Sequence, residues 1–360
     1  MKTGRTLIEL AEELQRQLET KRDFVSDTRS LGMIPTDKAV QLRMLHSNEQ
    51  TTDHAIRPLA HRQIGERVKI PATYYDRCLQ EDPELLAYNV NRWFSRQPEQ
   101  RMIRTLDGQV RAFLSNRYRP LDNWDLANVV LPVLKEATGG ALDVHSCEIT
   151  EHRMYLKVIF PRISADIGSR KVGDIVQSGI VVSNSEVGAG ALKVEPLVFH
   201  LACLNGMIAA TAMKRHHVGR AAEGNDESAY EIYRDETLAA DDRAFWMKVQ
   251  DTVKASVSEV AFAQLVDKIR AAQDEPIQTS TLKAVEAMTR RFTFSETERE
   301  SVLTHLIKGG DLSRWGMVEA ITAASQDLPD YDRATEFERI GGVVLELPQS
   351  EWKVLAKKAA

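Results

Sequence analysis

No stretch of this sequence approaches the roughly 18 uncharged apolar residues that a membrane-spanning helix needs, so no membrane span is expected. Its opening, MKTGRTLIELAEELQRQLET, carries acidic residues where a secretory signal would hold its apolar stretch. Cysteine is scarce: Cys78, Cys147 and Cys203 are odd in number and widely spaced. That argues against a disulfide framework and points to a reducing, intracellular compartment. Also missing are G-x-x-x-x-G-K-S/T, G-x-G-x-x-G after a strand, H-E-x-x-H and G-x-S-x-G. Those absences remove the usual signatures of nucleotide hydrolysis, dinucleotide binding, metalloprotease and serine hydrolase chemistry. No catalytic residue, cofactor or metal is expected.

What is present is enough apolar residue, 43% of 360, to bury a sizeable core. A chain of this length allows two or three folding units, or one large α+β unit. Its net charge of −5 hides an asymmetry. Residues 54–220 hold 22 basic and 17 acidic residues, net +5, while the remainder is net −10. A basic middle between acidic ends suggests an anionic partner for the middle.

The pattern divides the chain into three: an N-terminal helical segment over 1–53, a central α+β core over 54–220, and an acidic, mainly helical part over 221–360. Leu7, Leu10, Ala11, Leu14 and Leu18 recur at helical spacing over 5–21. A short helix is predicted after Pro35, capped by Thr36 or Asp37. Two short helices over 54–80 turn at Lys69-Ile70-Pro71. The second would present Thr73, Tyr74 and Arg77, a spacing also seen in helix-turn-helix proteins, although ordinary helix packing accounts for it. Asp107-Gly108 between alternating runs predicts a hairpin. A helix follows from Pro120 and Asp122 to Gly139-Gly140, with Pro132 predicting a kink or boundary. The carboxylates Asp122 and Asp125 suit that helix's N-terminus. ALDVHSCEIT, RMYLKVIFPRI and the two halves of SGIVVSNSEVGAGALKVEPLVFH then read as strands. The fold class is therefore α+β, a mostly antiparallel sheet with packed helices, and helical parts at both ends. Beyond 221 several helices are expected, with a capping box at Ser295 and Glu298, a cap at Asp311, and one short strand near GGVVLELP.

Three clusters interleave cations with aromatic residues: Arg92 to Arg96 around Trp93 and Phe94, RAFLSNRYR from Arg111 to Arg119, and KRHHVGR from Lys214 to Arg220. Guanidinium forks chelate phosphate oxygens and flat rings stack on bases, each stacked base being worth about 1–3 kcal/mol. The expected nucleic-acid contacts are Arg92, Arg96, Arg111, Arg117, Tyr118, Arg119, Lys214, Arg215 and Arg220. Each cluster taken alone is equally consistent with core packing and edge-strand arginines. In the SNSEVGAG interruption, Gly188 and Gly190 can supply positive φ, and Asn184 and Ser185 can bond backbone and position neighbouring loops. Glu186 would repel a phosphate, so the loop is not read as an anion cradle.

His200, Cys203, His216 and His217 have ligand types suited to zinc. On one continuous strand, though, His200 and Cys203 would point to opposite faces, and Cys203 sits among apolar neighbours as a small hydrophobe would.

FLSNRYRPLDNWDL, GIVVSNSEVGAGALKVEP, CLNGMI and KRHHVGR together resemble the phage- and plasmid-type family called domain of unknown function 932, over roughly Arg57 to Arg220. The resemblance implies a bacterial or phage cytoplasm and DNA metabolism of a mobile element, with no catalytic residues to carry over. The core is also similar in outline to strand-annealing ring proteins of recombination. The resulting expectation is an oligomeric protein that binds or anneals single-stranded DNA, without nucleotide hydrolysis. The alternatives are a non-catalytic protein-interaction module acting through the acidic C-terminal helices, and a metal-dependent nuclease built on the histidine cluster.

Overall fold

A computed structural model describes residues 1–36, 39–118, 120–168, 174–209 and 235–356. Helix α1 (Leu7–Thr20) begins at a capping box in which Thr6 and Glu9 satisfy each other's backbone N–H groups. Leu10 and Leu14 are buried by it, whereas Ala11 and Leu18 are exposed. The next stretch corrects the sequence reading. Strands β1 (Arg22–Asp27), β2 (Leu31–Pro35), β3 (Val40–Leu45) and β4 (Thr51–Ala55) occupy it, and among the described residues no helix begins between Pro35 and Pro58. Asp37 lies outside them; Thr36 closes the β2–β3 turn by donating to the Ala39 carbonyl. The strands' two-residue period is visible in retrospect, because Leu31, Met33, Val40, Leu42 and Met44 alternate into the core.

Helices α2 (Pro58–Arg67), α3 (Ala72–Glu81) and α4 (Pro83–Arg96) follow, with the turn before Pro71 taken by Lys69 at φ 57°. Strands β5 (Gln100–Leu106) and β6 (Gln109–Ser115) form the hairpin expected at Asp107-Gly108, both turn residues having positive φ. Two three-stranded sheets, β2-β3-β4 and β1-β5-β6, share one core with α2, α3 and α4 around Ile64, Tyr75, Val90, Phe94 and Phe113.

Helix α5 (Asn123–Ala137) runs unbroken through Pro132 and ends at Gly139 and Gly140, both with positive φ. Strands β7 (Asp143–Ile149), β8 (Met154–Asp166), β9 (Ile175–Asn184), β10 (Lys193–His200) and β11 (Asn205–Ile208) make an antiparallel sheet in the order β11-β10-β9-β8-β7. Along β8, Met154, Leu156, Val158 and Phe160 face α1, α5 and α6 (Asp235–Ser256), while Tyr155 and Ile159 face the opposite layer. Helices α7 (Glu259–Gln273), α8 (Thr281–Phe292), α9 (Glu296–Gly309), α10 (Arg314–Ala324), α11 (Tyr331–Leu345) and α12 (Gln349–Ala356) complete the chain. GGVVLELP is thus the end of α11, not a strand. The Ser295–Glu298 capping box is present, and α10 is capped by Ser313, whose N–H donates to Asp311. The protein is an α+β fold. Among the described residues no helix is long and apolar enough to cross a membrane.

Under the second layer Lys157 and Glu338 are both fully buried, Nζ to Oε2 at 2.7 Å. The Lys157 ammonium also sits 4.5 Å from the Tyr331 ring centroid. Burial pulls the lysine below its ordinary pKa while Glu338 works against that shift.

Candidate nucleic-acid interface

The polar interruption between β9 and β10 is buried. Ser183 through Val187 are each 4% exposed or less. Asn184 donates to the Leu121 carbonyl at 2.8 Å and to Asn123 Oδ1 at 2.9 Å. The Ser185 hydroxyl accepts from the Ala189 N–H at 2.9 Å, and its carbonyl accepts from the Tyr118 hydroxyl at 2.9 Å. Gln63 of α2 clamps the loop to β6, donating to the Val187 carbonyl and accepting from the Phe113 N–H. Gly188 turns at φ 76° against Leu114, and the Arg153 guanidinium packs on Gly190 and donates to the Ala189 carbonyl. The loop is therefore the joint between the N-terminal sheets and the central sheet.

Ionic contacts explain why the joint is polar. Arg104 of β5 is fully buried and spends its fork on Asp23 (2.9 Å), Asp122 (2.8 Å) and the Glu186 carbonyl (2.9 Å). Burial alone would lower its pKa, but the two carboxylates outweigh that and raise it. Asp122 also meets Lys21 at 2.5 Å; burial pushes its acidity down, yet Lys21 and Arg104 hold its pKa below the usual value. Asp122 sits at the N-cap position of α5 but makes no side-chain cap bond. The Asn123 N–H instead donates to Glu186 Oε1 at 2.6 Å. The cap reading of Asp122 is thus corrected to an ion-pair partner.

Arg111 is the expected phosphate ligand most changed by the structure. In the β5–β6 register Arg104 pairs with Ala112 and Thr105 with Val110, which leaves Arg111 as the bulged residue. The bulge moves its side chain out of the apolar core occupied by Phe113 and against Glu186, Nη2 to Oε2 at 2.7 Å. Arg111 is only 6% exposed and carries its own carboxylate, so it is not presented to a polyanion. Tyr118 is half-buried, packed against the Met102, Ala112, Leu114 and Val187 cluster with its hydroxyl committed to the Ser185 carbonyl. Arg117 is exposed at the end of β6. Arg119, Lys214, Arg215, His216, His217 and Arg220 lie outside the described residues. Of the expected contacts among the described residues, Arg92 and Arg96 lie on α4, whereas Arg111 and Tyr118 are committed to the joint.

One of the three clusters does form a surface. On α4, Val90 and Phe94 point inward, and the helical repeat puts Tyr88, Arg92 and Arg96 in one exposed row, with Leu85, Asn89 and Trp93 in the next. Tyr88 is 66% exposed, Tyr74 of α3 45% and Trp93 38%. Among the described residues Arg92 and Arg96 have no carboxylate or hydrogen-bond partner. A cavity of about 330 Å³ opens between Lys69, Pro71, Tyr74, Asn89, Trp93 and Gln97. Sequence reasoning named Arg92 and Arg96, and had Tyr74 presented by its helix, but passed over Tyr88, at an exposed helical position, and Lys69, in the turn between α2 and α3.

The histidine cluster also differs from its sequence reading. Strand β10 stops at His200, and a turn closed by Leu204 at φ 56° carries Cys203 back beside it. Cys203 Sγ lies 2.9 Å from His200 Nδ1, and Glu319 of α10 joins them, its Oε2 2.8 Å from Nδ1 and 2.7 Å from Sγ. His200 Nε2 contacts the Asp174 carboxylate. Burial disfavours the imidazolium, but Cys203 and Glu319 overcome it and raise the ring to about 11. Burial raises the Cys203 thiol, with His200 opposing and Glu319 assisting.

A family described as Domain of unknown function (DUF932) matches residues 112–339. The chain belongs to this family. The matched segment starts later than the sequence resemblance suggested and reaches into the C-terminal helices, which had been placed outside it. It contains the joint loop, the five-stranded sheet and the His200–Cys203–Glu319 cluster, but not the α3–α4 surface. No curated protein and no solved structure was found to match the chain.

Proposed function

We propose that this protein binds single-stranded DNA through the exposed face of α3 and α4, and that it does so as a homo-oligomer that promotes annealing in the recombination or replication of a mobile element, in the cytoplasm of a bacterial host. The observation that carries this reading is the row Tyr88, Arg92 and Arg96 beside Trp93: two unpaired guanidinium groups adjoining exposed aromatic rings. Cations track the backbone and rings accept bases irrespective of their identity, which is the chemistry of sequence-tolerant single-strand binding. Glu84 begins the same helix row, so the attractive part of the face is its C-terminal half. The buried joint supports the reading indirectly by holding β5, β6 and the helices packed on them in one orientation relative to the central sheet.

Fluorescence anisotropy with a labelled single-stranded oligonucleotide across a salt series tests it. The affinity should fall linearly with salt on logarithmic axes, by a slope near ~0.7 per phosphate contacted. Absence of binding at low salt, or binding unchanged in an Arg92→Gln/Arg96→Gln variant, overturns the proposal. Electron microscopy with and without oligonucleotide reports the oligomer.

A further inference from the structure

We propose that His200, Cys203 and Glu319 form a binding site for a divalent transition metal of the zinc type. The three side chains come from the end of β10, the following turn and α10, and their ligand atoms all lie within 4.8 Å of one another. Their pairwise separations are 2.7–2.9 Å. Three electron-rich atoms that close need a cation between them, either a shared proton or a metal. The edges of a tetrahedral zinc site with nitrogen, sulfur and oxygen ligands are ~3.3–3.6 Å, so seating the ion asks each atom to move by about half an ångström.

A second observation points the same way. His200 presents Nδ1 to the cluster while Nε2 rests on the Asp174 carboxylate, which is itself buried. A carboxylate behind a ligating imidazole fixes its tautomer and increases its basicity, the usual outer support of zinc histidines. Asn205 donates to Glu319 Oε2 at 3.2 Å and is held in turn by Gln326. His200 is 7% exposed whereas Cys203 is exposed, so the site is sheltered at its base and open at one side. Three protein ligands leave a fourth position for solvent or another ligand on that open side. The mixed nitrogen, sulfur and oxygen donors suit zinc rather than magnesium or calcium, which prefer oxygen alone.

A nucleophilic role for Cys203 beside His200 fits less well. Glu319 Oε2 stands 2.7 Å from the sulfur and would repel a thiolate, whereas a metal would draw both anions together.

The full-length protein, stripped of metal under reducing conditions, should be titrated with Co²⁺ and followed by the thiolate-to-cobalt absorption in the near ultraviolet. The expected result is saturation at one equivalent, displacement by Zn²⁺, and loss of the band in Cys203→Ser. Asp174→Asn should weaken binding by about 10–100-fold. Glu319→Gln provides a second ligand variant should either of the others fold poorly by circular dichroism, and it should weaken binding as well. No saturable band, or an equal band in Cys203→Ser, overturns the site. So does cobalt uptake without thiolate absorption, which would place the ion elsewhere.

Discussion

Arg104 Nη1 donates to the Glu186 backbone carbonyl at 2.9 Å, tying the second strand of one sheet to the loop that leaves another. The same guanidinium meets Asp23, which is exposed, and Asp122, which keeps Lys21, so its removal would chiefly leave the buried Glu186 carbonyl without its donor. Arg104→Met should destabilise the protein by about 1–3 kcal/mol, the range for leaving a buried hydrogen-bond acceptor unsatisfied. Arg104→Lys should recover only part of this, because an ammonium cannot reproduce the fork. Urea denaturation of the three proteins reads both outcomes.

Gly188 should not tolerate a side chain. Its φ of 76° disfavours L residues, and an added Cβ would meet Leu114 Cδ2 at 2.7 Å. Gly188→Ala is expected to cost about 1–3 kcal/mol from the strained backbone and the contact together. Adding Leu114→Ala should relieve the contact but not the backbone strain, so a double-mutant cycle should show coupling between the two sites.

The buried pair Lys157 and Glu338 predicts a sign change. Glu338→Leu alone leaves an unpaired buried ammonium and should cost about 3–5 kcal/mol. Lys157→Met with Glu338→Leu should come out near neutral or more stable, because desolvation of both charges is then avoided. If the double variant is as unstable as the single one, the pair contributes more than its desolvation costs.

His61 should shape the acid side of the stability curve. Burial lowers its pKa to about 4, with Asp76 opposing and Arg62 assisting, and its Nδ1 lies 2.9 Å from the Tyr75 hydroxyl. The unfolded chain binds a proton at the ordinary value of 6.5, so it holds more protons than the fold between those limits. The contribution is full above 6.5 and is lost as pH falls from 6.5 toward 4. His61→Gln should flatten this limb by at most about 1.4 kcal/mol per pH unit. Chemical denaturation at several pH values, wild type against variant, measures the difference.

The α3–α4 face makes separable predictions for single-stranded DNA. Trp93→Ala should weaken binding by about 1–3 kcal/mol with the salt dependence retained, since stacking releases no counterions. Arg92→Gln with Arg96→Gln should reduce the salt slope by about 1.4, at ~0.7 per lost phosphate contact. Arg111→Gln should chiefly lower stability, because that side chain meets Glu186 inside the joint. Equal loss of affinity in all three variants would show that they act by unfolding rather than by contact.

Much of the architecture is local and was therefore legible. The Asp107-Gly108 hairpin, the Thr6-to-Thr20 helix, the long helix ending at Gly139-Gly140 and the central antiparallel strands follow from turn chemistry and from periods of 3.6 and 2 in neighbouring residues. The strands over 22–55 escaped because polar outward positions and short lengths diluted their alternation.

Charge could be counted from the amino acids, but its destination could not. Arg92 and Arg111 belong to similar basic, aromatic-bearing stretches, yet one is exposed and unpaired while a bulge carries the other onto Glu186, seventy-five positions along the chain. His200 and Glu319 meet across 119 positions. Backbone preference acts over a few residues, whereas the partner of a buried charge is chosen by whichever distant segment packing delivers. That choice was made by the tertiary structure alone.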